Sequence, residues 1–224
     1  ELSEANQVID LQTDFVHIYI SSIAKTDFSN VYLTELEKVK CNRFIHQADK
    51  DRFTLGRYLT RSILPKYIPD LPPLFELSVT ETNKPYLPNT EVQFNLAHSG
   101  EVVVLSVSNK PIGIDIEHIK PIKDMADVMQ VCFNEQEINS INSSSNPQFR
   151  FYEFWTRKEA ILKATGEGIA TNLLALNVLE GTQTYKTDLW DSDSMHLNTF
   201  NYKSEYLFST ATVQNIRPCI KVLE

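Results

Sequence analysis

The chain carries one local order twice, and this recurrence limits the folds open to it more than any other feature. In the first half, Ala48 to Tyr67 sets Phe53, Leu55, Leu59, Ile63 and Leu64 near helical spacing, and Pro69, Pro72 and Pro73 forbid continuation. Downstream, Phe94-Asn95 leads through His98-Ser99-Gly100-Glu101 into the run Val102 to Ser108. In the second half the helix is Phe151 to Thr165, closed by Gly166 and Gly168, and Phe200-Asn201 leads through Lys203-Ser204-Glu205 into Tyr206 to Thr212. The expectation is an α+β fold of two pseudo-twofold duplicated halves, residues 1–111 and 112–224, with a cleft between them. Two unrelated hairpins would produce the same match.

Around these landmarks, Leu11 to Ile23 reads as a strand entering a turn, because Phe15, His17 and Tyr19 alternate with Val16, Ile18 and Ile20. Thr34 to Val39, Met125 to Met129 and Glu135 to Ile141 suit short helices. Further strands are expected at Leu77 to Thr80, Ile112 to Glu117, Leu176 to Leu179, Tyr185 to Trp190 and Tyr206 to Val213. Turns fall at Asn83-Lys84-Pro85 and Asn109-Lys110-Pro111, and Asn142 to Pro147 is a polar loop.

Composition removes several classes of function. A formal net charge of −8 argues against general nucleic-acid binding, which rewards a basic face. The longest apolar stretch, Val102 to Val107, is far below the roughly 20 residues of a membrane span. The opening Glu1-Leu2-Ser3-Glu4 has neither the basic end nor the apolar middle of a secretory signal. Cys41, Cys132 and Cys219 are an odd, dispersed set, which argues for a reducing compartment, the cytoplasm. There is no serine or cysteine triad pattern, no Cys/His zinc spacing and no glycine-rich phosphate loop.

Three pieces carry chemistry. Gly113-Ile114-Asp115-Ile116-Glu117 on a strand puts Asp115 and Glu117 on one face, roughly 7 Å apart. Such a pair repels unless a cation lies between, and an all-oxygen set favours a hard ion such as magnesium. A solvated acidic face gives the same pattern. Next, Trp155, Glu159 and Lys163 stand one helical turn apart, with Lys158 beside them. A carboxylate next to an ammonium suits metal-assisted phosphoryl transfer, although an exposed helix salt bridge looks alike. Finally, Asn95 to Gly100 places His98 and Ser99 in a turn that can cradle an anion, or uses them for shape alone. Arg43, Lys50, Arg52 and Arg57 surround the start of the first long helix, and Lys84 sits in a tight turn. Together the pieces point to a metal and a phosphate-rich substrate.

Pro111-Ile112-Gly113-Ile114-Asp115-Ile116-Glu117, followed about forty residues later by Trp155-Thr156-Arg157-Lys158-Glu159 and Lys163, resembles the signature pair of the phosphopantetheinyl transferases. The surfactin-type (Sfp-like) branch is the nearest match, since Phe94 to Gly100 resembles its Phe-Asn-x-Ser-His-Ser motif. Asn83-Lys84-Pro85 is similar to its Gly-Lys-Pro turn, and Arg52 with Gly56 to its Arg-x-x-x-Gly. The resemblance implies a pseudo-twofold monomer with coenzyme A in the cleft. It would move 4′-phosphopantetheine to a serine of an apo acyl or peptidyl carrier protein and release 3′,5′-ADP.

Carried over residue by residue, Asp115, Glu117 and Glu159 would hold magnesium, with manganese as the alternative ion. Glu159 would also activate the carrier serine, and Lys163 would contact the phosphates. Arg52 and His98 would bind the 3′-phosphate, Ser99 would help hold the phosphates, and Lys84-Pro85 would lie against the adenine. Arg43 and Lys158 join the coenzyme A-binding set. Ala97, Asn83 and Gln47 depart from the branch, at positions that bear on coenzyme A affinity rather than on the reaction. Lys120, Lys123, Val128 and Met129 are expected to form a carrier-docking strip. A catalytically idle coenzyme A- or carrier-binding protein of the same fold is the alternative, and a magnesium phosphoesterase of another fold a third reading.

Overall fold

The computed structural model describes residues 14–167, 173–184 and 194–223. It divides into two compact units, one of residues 1–110 with 218–224, the other of residues 111–217. The chain's end departs from the expected division: residues 218–224 join the first unit, because a strand there pairs in parallel with the first strand.

In the first unit, β1 (Val16–Ser22) precedes the short helix α1 (Glu35–Asn42) and the long helix α2 (Gln47–Ile63). Then come the small hairpin of β2 (Ser78–Val79) and β3 (Pro85–Tyr86) and the larger one of β4 (Gln93–Ser99) and β5 (Val102–Ser108). The second unit runs β6 (Ile112–His118), α3 (Met125–Cys132), α4 (Glu135–Asn142), α5 (Pro147–Thr165), β7 (Thr182–Thr184), β8 (Ser194–Tyr202) and β9 (Tyr206–Thr212). The chain closes with β10 (Cys219–Val222), whose neighbour in the first unit's sheet is β1.

Each unit is a four-stranded sheet, ordered β10-β1-β5-β4 in the first and β6-β9-β8-β7 in the second. Of the inner strands, β5 and β9 are buried at every position: β5 is a near-continuous apolar run, whereas β9 also buries Ser209, Thr210 and Thr212. On α2, Leu55, Leu59 and Ile63 recur every four residues and pack with Leu105, Val107 and Tyr67 in one core. On α5, Phe151, Phe154, Ile161 and Leu162 pack with Phe133, Met195 and Leu197 in the other.

Helix ends follow local chemistry. Thr34 and Asn134 each cap a short helix through the backbone N–H three residues on, while Glu37 and Glu137 reach back to the cap N–H. Asn146 caps α5 with Pro147 in its first turn, so the helix begins four residues before the expected Phe151 and shortens the polar loop. Gly166, at φ 76°, ends it.

Two expected elements change. Residues 95–99 are strand rather than turn, and the reversal is confined to Gly100 (φ 56°) and Glu101. Leu176 to Leu179 forms no strand: it follows a 3-10 turn at Leu173–Ala175, with Leu176 and Val178 buried and Asn177 exposed. The Val178 N–H donates to the buried Glu137 carboxylate (2.9 Å) instead of to a neighbouring strand. The expected strand at Tyr185 to Trp190, the stop at Gly168 and the first residues of the Leu11 strand lie outside the described residues.

Candidate active site

Gly113 sets the distance between α5 and β6. A Cβ at this position would stand 1.9 Å from the Ala160 carbonyl oxygen and 2.4 Å from the Ala164 nitrogen, so only glycine lets the helix lie so close. Side chains alternate along β6, which puts Asp115 and Glu117 on the same face as Gly113, towards α5. The residues that α5 presents there are Trp155, Glu159 and Lys163.

The Lys163 ammonium donates to Asp115 Oδ1 at 2.6 Å. Asp115 is 6% exposed, whereas the Lys163 side chain keeps 30% of its surface in solvent. One turn before Glu159, the Trp155 indole N–H donates to Glu117 Oε1 at 3.3 Å. Glu159 itself is partly buried. Its carboxyl is held above the usual range, first by burial, then by the negative charge of Asp115, with Glu117 adding and Lys163 opposing. Ser209 pairs with Asp115 across the sheet and sits in a hydroxyl chain with Thr156 (2.7 Å) and Thr199 (2.9 Å). Arg157, ion-paired with Glu153, anchors that chain through Thr199 (3.0 Å).

Among the described residues no three His, Cys, Asp or Glu side chains are gathered closely enough to hold a metal ion as they stand. The donor chemistry fits a hard cation all the same. Asp115 and Glu117 both raise the Glu159 carboxyl, and a divalent ion among the three would relieve that repulsion. Lys163 therefore does not form a simple helix pair with Glu159; its short bond crosses to β6.

In the first unit, a pocket of about 270 Å³ is lined by Lys40, Asp49, Arg52, Gly56, Pro85 and His98 among others. Arg52 is held from two sides, donating to the Gly100 carbonyl (2.8 Å) and pairing with Asp49. The pocket brings together Arg52, Pro85 and His98 of the expected set. Arg43 lines an adjoining hollow with Lys40 and Phe44 instead, and Ser99 and Lys84 line neither. Lys84, beside Pro85, is partly buried, and desolvation pushes its ammonium down to about 8.

Lys40 and Asp49 are pocket residues that the motifs did not single out. Asp49 had a signal, since it precedes Arg52 by three residues on a helix and must neighbour it. Lys40 had none, because it comes to the pocket only when α1 packs on α2, with its ammonium 5.8 Å from the centre of the Phe53 ring.

Two expectations are corrected. Lys158 does not face a ligand: it is fully buried, paired with Glu137 at 2.7 Å and donating to the carbonyls of Cys132 (2.9 Å) and Leu173 (2.7 Å). Its three ammonium protons are thereby used inside the fold. Met129 of the expected docking strip is buried in the second unit's core, with Val128 packed against it; on α3 it is Val131 that is exposed. Lys120 and Lys123 remain at the surface.

Comparison with known proteins identifies the family. Residues 111–211 match the sequence model of the 4′-phosphopantetheinyl transferase superfamily, and residues 22–110 match that of the 4′-phosphopantetheinyl transferase N-terminal region. A 4′-phosphopantetheinyl transferase of Bacillus subtilis is 34% identical over 145 residues, 63% of this chain and 64% of its own length. The 4′-phosphopantetheinyl transferase Sfp of B. subtilis strain 168 is 30% identical over 150 residues, 66% of each chain. In both, the match spans a little under two thirds of the relative's length. The 4′-phosphopantetheinyl transferase ffp of B. subtilis is 30% identical over 157 residues, 69% of each chain.

Proposed function

We propose a function from one premise: the chain belongs to the 4′-phosphopantetheinyl transferase superfamily. It transfers 4′-phosphopantetheine from coenzyme A to a serine hydroxyl of an apo acyl or peptidyl carrier protein and releases 3′,5′-ADP. The observation that carries this reading is the α5–β6 contact, which sets Glu159 beside Asp115 and Glu117 with Lys163 at 2.6 Å from Asp115.

Each residue has a task in the transfer. Glu159, its carboxyl raised, takes the proton of the carrier serine as the serine oxygen bonds to the β-phosphorus. The bond from that phosphorus to the oxygen of the departing 3′,5′-ADP breaks, and Lys163 neutralises the charge that develops there. Asp115, Glu117 and Glu159 would hold magnesium or manganese, which when bound offsets the negative charge of the pyrophosphate. Arg52 and His98 bind the 3′-phosphate of coenzyme A, and Pro85 lies against the adenine; their common pocket supports this assignment.

The same reading makes the two units descendants of one ancestral unit. In each, a strand, a long helix and a hairpin give an antiparallel order of first, third, second: β1-β5-β4 and β6-β9-β8. Each also carries a short capped helix whose third residue, Glu37 or Glu137, is buried against a cation of the long helix.

Mass spectrometry of an apo carrier incubated with the enzyme, coenzyme A and magnesium tests the function. The expected result is a gain of about 340 Da, the phosphopantetheine group of this phosphoryl-transfer scheme, lost with EDTA or with Asp115→Ala. No gain on several carriers despite coenzyme A binding would leave a catalytically idle coenzyme A-binding protein.

A further inference from the structure

The contact between Lys163 and Asp115 sets a problem for any cation that is to use Asp115. Asp115 lies in the middle of β6, 6% exposed, and cannot move without the sheet. Lys163 stands near the C-terminal end of α5 on a flexible four-carbon stem, with 30% of its side chain in solvent. Of the two partners only the lysine can leave. The carboxylate cannot be left alone, because an ionised acid this deeply buried is strongly destabilising without a compensating charge. Glu159 and Glu117 add to the same negative field.

We infer that Lys163 is a placeholder cation: in the free protein it holds the place of the divalent ion at Asp115, and it swings out to the phosphates of coenzyme A when that ion enters. The inference rests on the proposed function and adds a linkage to it. Metal must displace Lys163, and phosphate draws Lys163 away, so each ligand favours binding of the other. With neither ligand present, the lysine keeps three carboxylates from repelling one another, and the site persists as a compact ion pair. Gly113 contributes, since any side chain there would meet the backbone of α5 and push the helix that carries Lys163 away from β6.

Binding of Mn²⁺, followed by electron paramagnetic resonance without substrate turnover, tests the idea. In the absence of coenzyme A, Lys163→Met should bind Mn²⁺ roughly five- to tenfold more tightly than the wild-type protein. Lys163→Arg, which keeps a cation, should stay near wild type. The gain should persist in about 1 M KCl, where the screening length of about 3 Å suppresses all but contact interactions. Coenzyme A should tighten Mn²⁺ binding in the wild type and do so much less in Lys163→Met. Equal or weaker Mn²⁺ binding by Lys163→Met, or an equal gain in Lys163→Arg, would overturn the inference. The two readings fail separately: a wild-type protein that modifies no carrier, but whose Lys163→Met variant still gains Mn²⁺ affinity, refutes the transferase and supports the placeholder.

Discussion

Lys158 and Lys163 stand five positions apart on one helix and serve opposite ends. The first is sealed against Glu137 and two carbonyls, and the second reaches Asp115 from a partly open position. Nothing in either residue's own chemistry separates them; five residues advance a helix by about 140°, so they point to different surroundings. Lys84 is a third lysine with its own environment, where desolvation lowers its ammonium to about 8 from an ordinary 10.5. Below about pH 8 it is charged in both folded and unfolded chains, and the full penalty of burying the charge is present. Between about 8 and 10.5 the unfolded chain binds more protons, so this group's contribution to stability rises with pH. Replacing it should remove that slope. In thermal melts, the stability of Lys84→Met relative to wild type should be highest near pH 7.5 and fall towards pH 10. A constant difference between the two proteins would show that Lys84 is not desolvated.

Among the elements, the packing around the two long helices shows how a glycine can be essential to a close approach in one place and not in another. At Gly113 a Cβ would fall 1.9 and 2.4 Å from backbone atoms of α5, and backbone cannot step aside. Gly56 lies inside α2, where a Cβ would meet only the Leu96 side chain at 3.8 and 4.0 Å, an ordinary contact. Gly113→Ala should therefore destabilise the second unit by roughly 1–3 kcal/mol, as overpacking does, and pull Lys163 off Asp115. Gly56→Ala should stabilise the protein by about 1 kcal/mol through helix propensity, and under the proposed function it should weaken coenzyme A binding, because Gly56 lines the pocket. Denaturant unfolding of both variants with calorimetric coenzyme A titration of the second checks this. Gly113→Ala at wild-type stability would refute the close approach. The strands β1, β5, β6 and β9 were legible, the first three as alternating or continuous apolar runs and β9 as a run of aromatic, apolar and Ser/Thr residues. Leu176 to Leu179 deceived because the alternation of buried Leu176 and Val178 with exposed Asn177 looks the same whether the N–H groups meet a strand or, as at Val178, a carboxylate.

At the scale of the whole molecule, the end of the chain belongs with its beginning. β10 pairs with β1 from His17–Cys219 to Ile20–Val222, and Leu223 both packs against the first unit's core and donates its N–H to the Ile20 carbonyl (2.8 Å). Deleting Pro218 to Glu224 should lower the melting temperature and strip hydrogen-exchange protection from β1, leaving β6 and β9 protected. Equal loss of protection in both sheets would mean that the two units unfold as one. What the sequence determined by itself was the α+β class, the two long helices each followed by a hairpin, and the common face of Asp115 and Glu117 on one strand, while Arg52, Pro85 and His98 were grouped by the family resemblance. These follow from periodicity and short motifs, which depend on neighbours a few positions away. Only the tertiary structure decided that Lys163 bonds Asp115 while Lys158 is buried, that Lys40 joins the pocket, that Met129 is core, and that β10 returns to the first sheet. Those outcomes depend on which surfaces distant elements press together, and an amino-acid type does not encode the partner that will satisfy its charge.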